Sequence, residues 1–285
     1  MFKRSLIFAS LFLLIFVTIL TAGKYETKIF SFPADDIKKL EVSIELGAGE
    51  FLLEVGNIDE IAKANVEYDD RSVDVYGEYK KRGTTGVIEF ESEIRKKFNI
   101  DTDDNNWDIV LSDKFPTELN IDIGACEAEI DLGGLPLEYL DFDVGAAEVD
   151  ILFSRPNPGM AEEIKIDAGA VELKVEELGN ANFDRLSFDG GAGDFDIDFS
   201  GEYKGKSRAK ISIGLGSAKI RIPSDLPVRI ETSDSFLSSV DFRHEDERYL
   251  DGDDYYETKD FRRSDIGLDL EVSVGLGSIE IIFED

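Results

Sequence analysis

Seven short phrases of the form Gly-x-Gly or Gly-x-small recur along this chain, each set between two alternating apolar stretches. They read Leu46-Gly47-Ala48-Gly49-Glu50, Ile123-Gly124-Ala125-Cys126-Glu127, Val144-Gly145-Ala146-Ala147-Glu148 and Ala168-Gly169-Ala170-Val171-Glu172. They continue as Gly190-Gly191-Ala192-Gly193-Asp194, Ile213-Gly214-Leu215-Gly216-Ser217 and Val274-Gly275-Leu276-Gly277-Ser278. Around each phrase the apolar period is two, and it slips by one residue in crossing the glycines. Leu40, Val42, Ile44, Leu46 and Ala48 are followed by Phe51, Leu53 and Val55; Leu119, Ile121, Ile123 and Ala125 are followed by Ala128, Ile130 and Leu132. A one-residue slip turns an apolar set outward unless an extra residue is absorbed. The phrase therefore implies a bulge or corner, with glycine supplying dihedrals that a Cβ forbids.

Two topologies fit. In a hairpin, Leu46 pairs with Phe51 and the glycines form the tip. In a β-solenoid, the phrase is the corner of a coil and the chain runs on. The middle residues Ala48, Ala125, Ala146, Ala170, Ala192, Leu215 and Leu276 are all apolar. An exposed tip favours Asn, Asp or Ser, so the apolar residue is read as facing inward at a corner. Gly124, Gly145, Gly169, Gly191 and Gly214 are spaced 21, 24, 22 and 23 residues apart, which suits coils that stack and share a core. The expected fold is all-β: a repetitive β-solenoid of short strands with Gly-x-Gly corners.

The repeat is suspended twice. Between Gly56 and Pro116, Val66–Tyr79, Val87–Phe90 and Trp107–Leu111 read as further strands, and residues 57–64 as one or two helical turns. From Asp241 to Asp265 the chain is charged and aromatic, with His244, Tyr249, Tyr255, Tyr256, Arg262 and Arg263. Its length as a loop marks it as the place for a specific contact.

Residues 1–23 open with Lys3-Arg4, continue uncharged from Ser5 to Ala22, and end in small residues, the pattern of a secretory signal or an uncleaved anchor. Lys3 and Arg4 place everything after Lys24 outside the membrane. The expected division is 1–23, signal or anchor; 24–118, an N-terminal β region with the first repeat at 40–55; and 119–285, the solenoid repeats with an inserted loop at 241–265. Export to the periplasm or cell surface follows, with membrane contact through residues 5–22 if the segment stays.

The net charge is −31. Binding to phosphate depends on clustered Lys and Arg, so nucleic acid is excluded as a partner. One cysteine, Cys126, permits no internal disulfide and no Cys-x-x-Cys metal pattern. It sits in a small corner slot among acidic neighbours, and a reactive thiol needs a nearby positive charge. His244 is the one histidine, and no Gly-x-Ser-x-Gly elbow accompanies it. Carboxylate pairs abound, but no pair stands out as a glycosidase couple, so no catalytic or cofactor-binding residue is assigned. One constellation remains: Glu50, Glu127, Glu148, Glu172 and Asp194, then Ser217 and Ser278, each just past a corner, which stacked coils bring into a column about 4.8 Å apart, with Glu127, Glu148, Glu172 and Asp194 as its candidate ligands. Oxygen-rich cation coordination is chemically open to it, against the simpler reading of a solvated acidic face. Asp189–Asp198 lacks the tandem copy of a calcium repeat, and Asp251-Gly252-Asp253-Asp254 lacks the distal Glu of an EF-hand; the latter reads as a turn.

Several phrases resemble the bacterial toast-rack family, all-β domains grouped with adhesin-like proteins and with the C-terminal domain of cell-wall-active-antibiotic response proteins. They are Trp107-Asp108-Ile109, Pro116-Thr-Glu-Leu119 and Ile123-Gly124-Ala125-Cys126-Glu127-Ala128-Glu129-Ile130-Asp131-Leu132-Gly133-Gly134-Leu135. Phe199-Ser200-Gly201-Glu202-Tyr203, Gly214-Leu-Gly-Ser217 with Ile222-Pro223, and the stretch from Tyr255 to Ile279 complete the resemblance. It implies a non-enzymatic envelope domain, without cofactor, whose partner is a protein or polysaccharide of the envelope. A carbohydrate-binding or carbohydrate-active solenoid and a divalent-cation-binding surface protein are the alternatives. The single N-terminal apolar segment departs from the several of the antibiotic-response proteins.

Overall fold

The computed structural model describes residues 16–22, 25–95, 105–233, 238–243, 249–252 and 255–284. Its strands are β1 (Phe16–Ala22), β2 (Tyr25–Pro33), β3 (Lys39–Gly56), β4 (Glu60–Tyr68), β5 (Val73–Arg82) and β6 (Thr85–Ile94). They continue as β7 (Asn105–Ser112), β8 (Thr117–Asp131), β9 (Leu137–Val144), β10 (Glu148–Leu152), β11 (Ala161–Glu176) and β12 (Phe183–Asp198). The last six are β13 (Lys206–Pro223), β14 (Val228–Ser233), β15 (Ser238–Arg243), β16 (Tyr249–Gly252), β17 (Tyr255–Thr258) and β18 (Gly267–Glu284).

The long strands run through the glycine phrase and pair in parallel on both sides of it. Between β3 and β8, Leu46 pairs with Ile123 before the phrase, Ala48 with Ala125 within it, and Phe51 with Ala128 after it. The same register carries through β11, β12, β13 and β18. The sheet is thus folded along the glycines into two faces. Before the glycines the order is β5-β6-β3-β8-β9-β11-β12-β13-β18-β14-β17-β16. After them it is β1-β2-β4-β7-β3-β8-β10-β11-β12-β13-β18-β15. Return segments between coils close the remaining side: Leu132, Leu135, Phe153, Leu178 and Phe199 on them are buried. Backbone bonds stack them too, as from Leu132 N to Leu152 O (2.9 Å) and from Gly179 N to Ser200 O (2.8 Å). The all-β solenoid expected from the repeat is the fold.

The corner works differently from the expectation. Leu46 is buried, Gly47 is exposed, Ala48 is half-buried and Gly49 is buried; in the next coil Ala125 is exposed and Cys126 buried. Leu215 and Leu276 are 49% and 44% exposed. The middle residue therefore faces outward, and the one after it turns inward. The phase slip is made by two successive outward residues, and the parallel pairing, not an inward middle residue, makes the solenoid. Glycine holds the first of these positions because a Cβ there meets the neighbouring coil: at Gly145 it would lie 2.7 Å from the Gly124 carbonyl oxygen, and at Gly214 2.6 Å from that of Gly191.

Both interruptions of the repeat turn out to be its ends. β6 and β7 form the coil outside β3, and β14 and β15 the coil outside β18. Antiparallel strands cap them, β5 on β6, β4 with β2 and β1 on β7, and β17 with β16 on β14. Terminal repeats of a solenoid are atypical for this reason. The expected helical turns at 57–64 are replaced by the start of β4, since Ile61, Ala62, Ala64 and Val66 pack into the core rather than onto a helix face. Val66–Tyr79 is two strands separated at Asp69–Ser72. In the 241–265 stretch, read as a loop, the described residues include the end of β15, the paired strands β16 and β17, and turns at 259–263. Residues 244–248 and 253–254, His244, Asp253 and Asp254 among them, lie outside the described residues.

Along the return segments a second set of inter-coil ties uses buried asparagines. Asn157 Nδ2 donates to Leu137 O (2.9 Å) in the preceding coil and to Ala181 O (3.0 Å) in the following one. Asn180 Nδ2 donates to Phe153 O (2.9 Å), while its Oδ1 accepts from Glu202 N (2.9 Å). Asn157→Ala leaves two buried carbonyls without a donor. It is expected to lower stability by about 2 kcal/mol in a urea titration, shifting the midpoint without changing the slope.

Candidate functional site

The corner edge carries the candidate residues. Just past the corner, in-register pairing aligns Asn106, Glu50, Glu127, Glu148, Glu172, Asp194, Ser217 and Ser278 in one row across the stack. Glu50, Glu127, Glu148, Glu172 and Asp194 are exposed. The column expected from sequence is present, from Glu50 to Ser278, and Asn106 joins it beside Glu50. Two shallow concavities lie along it, of about 410 Å³ beside Glu148, Glu172 and Asp194 and about 340 Å³ beside Glu50 and Glu127. Phe51, Trp107 and Phe195 border these concavities but are buried in the core.

A second row lies on the other side of the corner and was missed in the sequence. Glu91, Glu45, Asp122, Asp143, Asp167 and Asp189 align two residues ahead of the corner, where each looked like an ordinary outward strand residue. The signal available was the acidic residue two positions before Gly47, Gly124, Gly145, Gly169 and Gly191. Between the rows run the glycines, bordering a shallow groove of about 520 Å³ at Gly169, Gly191 and Gly214, and the exposed ridge of Ala and Leu middle residues.

Elsewhere on the faces, basic side chains are set against only part of the acidic complement, and the pairs cross between coils. Arg221 meets Asp196 at 2.6 Å, Arg229 pairs with Asp269, Lys210 meets Glu271 at 3.4 Å, and Lys39 bridges Glu118 and Glu138 at 2.7 and 2.8 Å. Among the described residues, neither corner row forms an ion pair. The first row's one side-chain bond at its end is from Ser217 Oγ to Asp194. Backbone spacing of about 4.8 Å gives neighbouring carboxylates a repulsion near 0.9 kcal/mol in water before screening and fanning reduce it. Among the described residues, no group of three His, Cys, Asp or Glu converges as a metal site needs; the carboxylates are strung along a line.

The titration behaviour agrees. Partial burial, with Asp167, Asp141 and Asp122 alongside, raises the Asp143 carboxyl above its ordinary range, and burial with Glu93 and Glu45 does the same to Glu91. A native state that binds protons more readily than the unfolded chain loses stability as pH rises through that window and regains it on acidification. Hydrogen bonds from Lys63 and Arg95 hold Glu60 and Asp74 below their ordinary values, and that contribution disappears as pH falls through the lowered values. The melting temperature is therefore expected to peak at about pH 5 rather than at neutrality, and to fall below about pH 4. At pH 7, added NaCl is expected to raise it, and CaCl₂ at matched ionic strength to do no more. A calcium-specific rise would mark the first row as a cation site. Cys126, at the inward corner position, is 4% exposed, and burial pushes its thiol up to about 11, so it is a packing residue.

A capped stack of parallel coils that carries two rows of carboxylates along its corner edge defines an all-β solenoid. The chain belongs to the toast-rack family: the family model for the N-terminal domain of toast_rack (DUF2154) matches residues 21–176. That for the cell wall-active antibiotics response LiaF C-terminal region matches residues 174–281. Similar solved structures include a candidate cell adhesion protein from Clostridium sporogenes, 20% identical over 92% of this chain and 100% of that one, with a TM-score of 0.48. A candidate adhesin from Bacteroides fragilis is 12% identical over 91% and 98% of the two chains, TM-score 0.36. A candidate lipid-binding protein from Parabacteroides distasonis is 14% identical over 90% and 97%, TM-score 0.36. No curated protein matches the chain by sequence.

Proposed function

We propose that this is an exported, non-enzymatic contact protein of the cell envelope, and that the corner edge is its working surface. The observation that carries the reading is the pair of in-register carboxylate rows, without ion pairs among the described residues, that flank the corner ridge. Such an edge meets an extended cationic partner, protein or polysaccharide, by long-range attraction followed by close apposition. The alternative of a carbohydrate-processing groove is less well supported. Stacking on sugar rings needs exposed aromatic faces, and Tyr76 is the one aromatic among the exposed large hydrophobics of the described residues.

Export rests on the basic start and apolar run of residues 1–23. Of that run, the described Phe16–Ala22 form β1, and no helix of the described residues is long and apolar enough to cross a membrane. Fusing residues 1–30 to a reporter is expected to deliver it outside the cytoplasm; a cytoplasmic reporter would sink the assignment. For the edge, immobilised protein is expected to retain a defined envelope component at low salt and release it at high salt. The triple variant Glu127→Gln, Glu148→Gln, Glu172→Gln is expected to lose that component, and equal retention by the variant would refute the edge as the contact surface.

A further inference from the structure

The N-terminal end of the stack has two edge strands, and they are treated differently. β5, the edge of the first face, ends in Lys80-Lys81-Arg82, the charge that keeps an open strand from pairing with another chain. β2 carries a single lysine, Lys28, beside Glu26 over Tyr25–Phe32, and its outer edge is occupied by β1, antiparallel, from Phe16 opposite Ser31 to Ala22 opposite Tyr25. Those covering residues are the end of the apolar run that the export reading commits to a signal or anchor. A strand hydrogen-bonded to β2 cannot at the same time be drawn into a membrane or removed by a peptidase. In the exported protein the β2 edge is therefore bare.

We infer that the bared β2 edge pairs with the β2 edge of a second copy, antiparallel and centred on Ile29, giving a two-fold dimer with a sheet continuous across it. The strand is self-complementary in that register. Ile29 meets Ile29, Thr27 meets Ser31, Lys28 meets Phe30, and Glu26 meets Phe32, so no like charges stand opposite one another. Centring on Lys28 would set lysine against lysine, and centring on Thr27 would shorten the ladder to five residues. Ile29 is 37% exposed even beneath β1, one of few large apolar side chains left outside, and the pairing covers it. Lys28 already lies 5.2 Å from the centre of the Phe30 ring in its own strand, and in this register the residue opposite it is uncharged. A two-fold contact requires such a patch to match itself.

This inference rests on the export reading, and the test separates the two. The buried core running from Phe30 and Phe32 to Ile279 and Ile281 is supplied by β2 to β18, and the chain lacking residues 1–23 retains all of those residues. That chain is expected to sediment as a dimer at micromolar concentration, and the full chain, with β1 in place, as a monomer. Ile29→Cys in the shortened chain is expected to form an intermolecular disulfide under mild oxidation, since Cys126 is buried; Tyr76→Cys on β5 is not. Ile29→Lys is expected to return the monomer with an unchanged melting temperature. A shortened chain that stays monomeric with native circular dichroism, or a dimer indifferent to Ile29→Lys, overturns the inference. A reporter retained in the cytoplasm alongside an Ile29-dependent dimer would remove the export reading and leave the pairing standing.

Discussion

Replacing Gly216 with alanine is expected to lower the melting temperature by roughly 6–12 °C, at about 2–4 °C per kcal/mol for a domain of this size. Gly216 has φ of +129°, a conformation that side chains rarely adopt, and a Cβ there would overlap the carbonyl oxygen of Gly193 in the neighbouring coil. The dihedral strain amounts to about 1–3 kcal/mol, and relief of the overlap must separate two parallel strands that are in register across the corner. The control is Gly205, where nothing lies within 4 Å of an added Cβ; Gly205→Ala is expected to stay within about 0.5 kcal/mol of the wild type. Thermal melts followed by far-ultraviolet circular dichroism decide it. Equal melting of the two variants would show that the corner tolerates a Cβ.

Trp107→Ala is expected to be as damaging, at about 3–5 kcal/mol, and to strike one end of the stack. The indole is 1% exposed, stacked on Phe30 at 6.3 Å and edge-on to Phe90 at 5.8 Å, with Phe32 and Tyr79 completing the cluster. Its Nε1 donates to Asn105 Oδ1 (2.9 Å), and Asn105 Nδ2 donates to Ala48 O (2.6 Å) and Ser92 Oγ (3.0 Å), which ties the outermost coil to the first corner. Trp107→Phe keeps the packing but not the bond, and is expected to cost about 1–2 kcal/mol. Trp107 is also the one tryptophan of the chain, so its emission reports that end alone. In a stack whose stability is local, wild-type fluorescence is expected to change at lower urea than the circular dichroism. Coincident transitions would mean that the stack unfolds as one unit.

The repeat was legible because its causes are local. Alternation, a one-residue slip and obligatory glycine all leave marks within a dozen residues. They announce a corner but fit a hairpin as well as a solenoid. The 21–24-residue spacing of the glycines pointed rightly to stacked coils and to the row through Glu127, Glu148, Glu172 and Asp194, whereas the inward middle residue pointed to them for the wrong reason. The orientation of the middle residue could not be read, because alanine is compatible with either side of a corner and Leu215 and Leu276 are apolar yet outward. Nor could the second row: Asp122, Asp143, Asp167 and Asp189 occupy strand positions where any polar residue suffices, and only the stacking of coils turns them into a line. The capping strands were obscured for a different reason. β4 and β5 have partners far away in sequence or across a tight turn, and nothing in Asn57–Ala64 announces that Ile61 and Ala62 will face a core supplied by β2 and β7.

The order of coils at the far end bears on how the molecule responds to force. β18 comes last among the strands but does not lie last in the stack: β13 flanks it on one side, and β14 and β15 on the other. A load applied at Glu284 therefore cannot peel an outer strand away one bond at a time. It must shear two parallel ladders together, along both faces, before any residue is released. A protein tethered at its other end and gripped along its length would hold under tension until that strand gave way, and then fail abruptly.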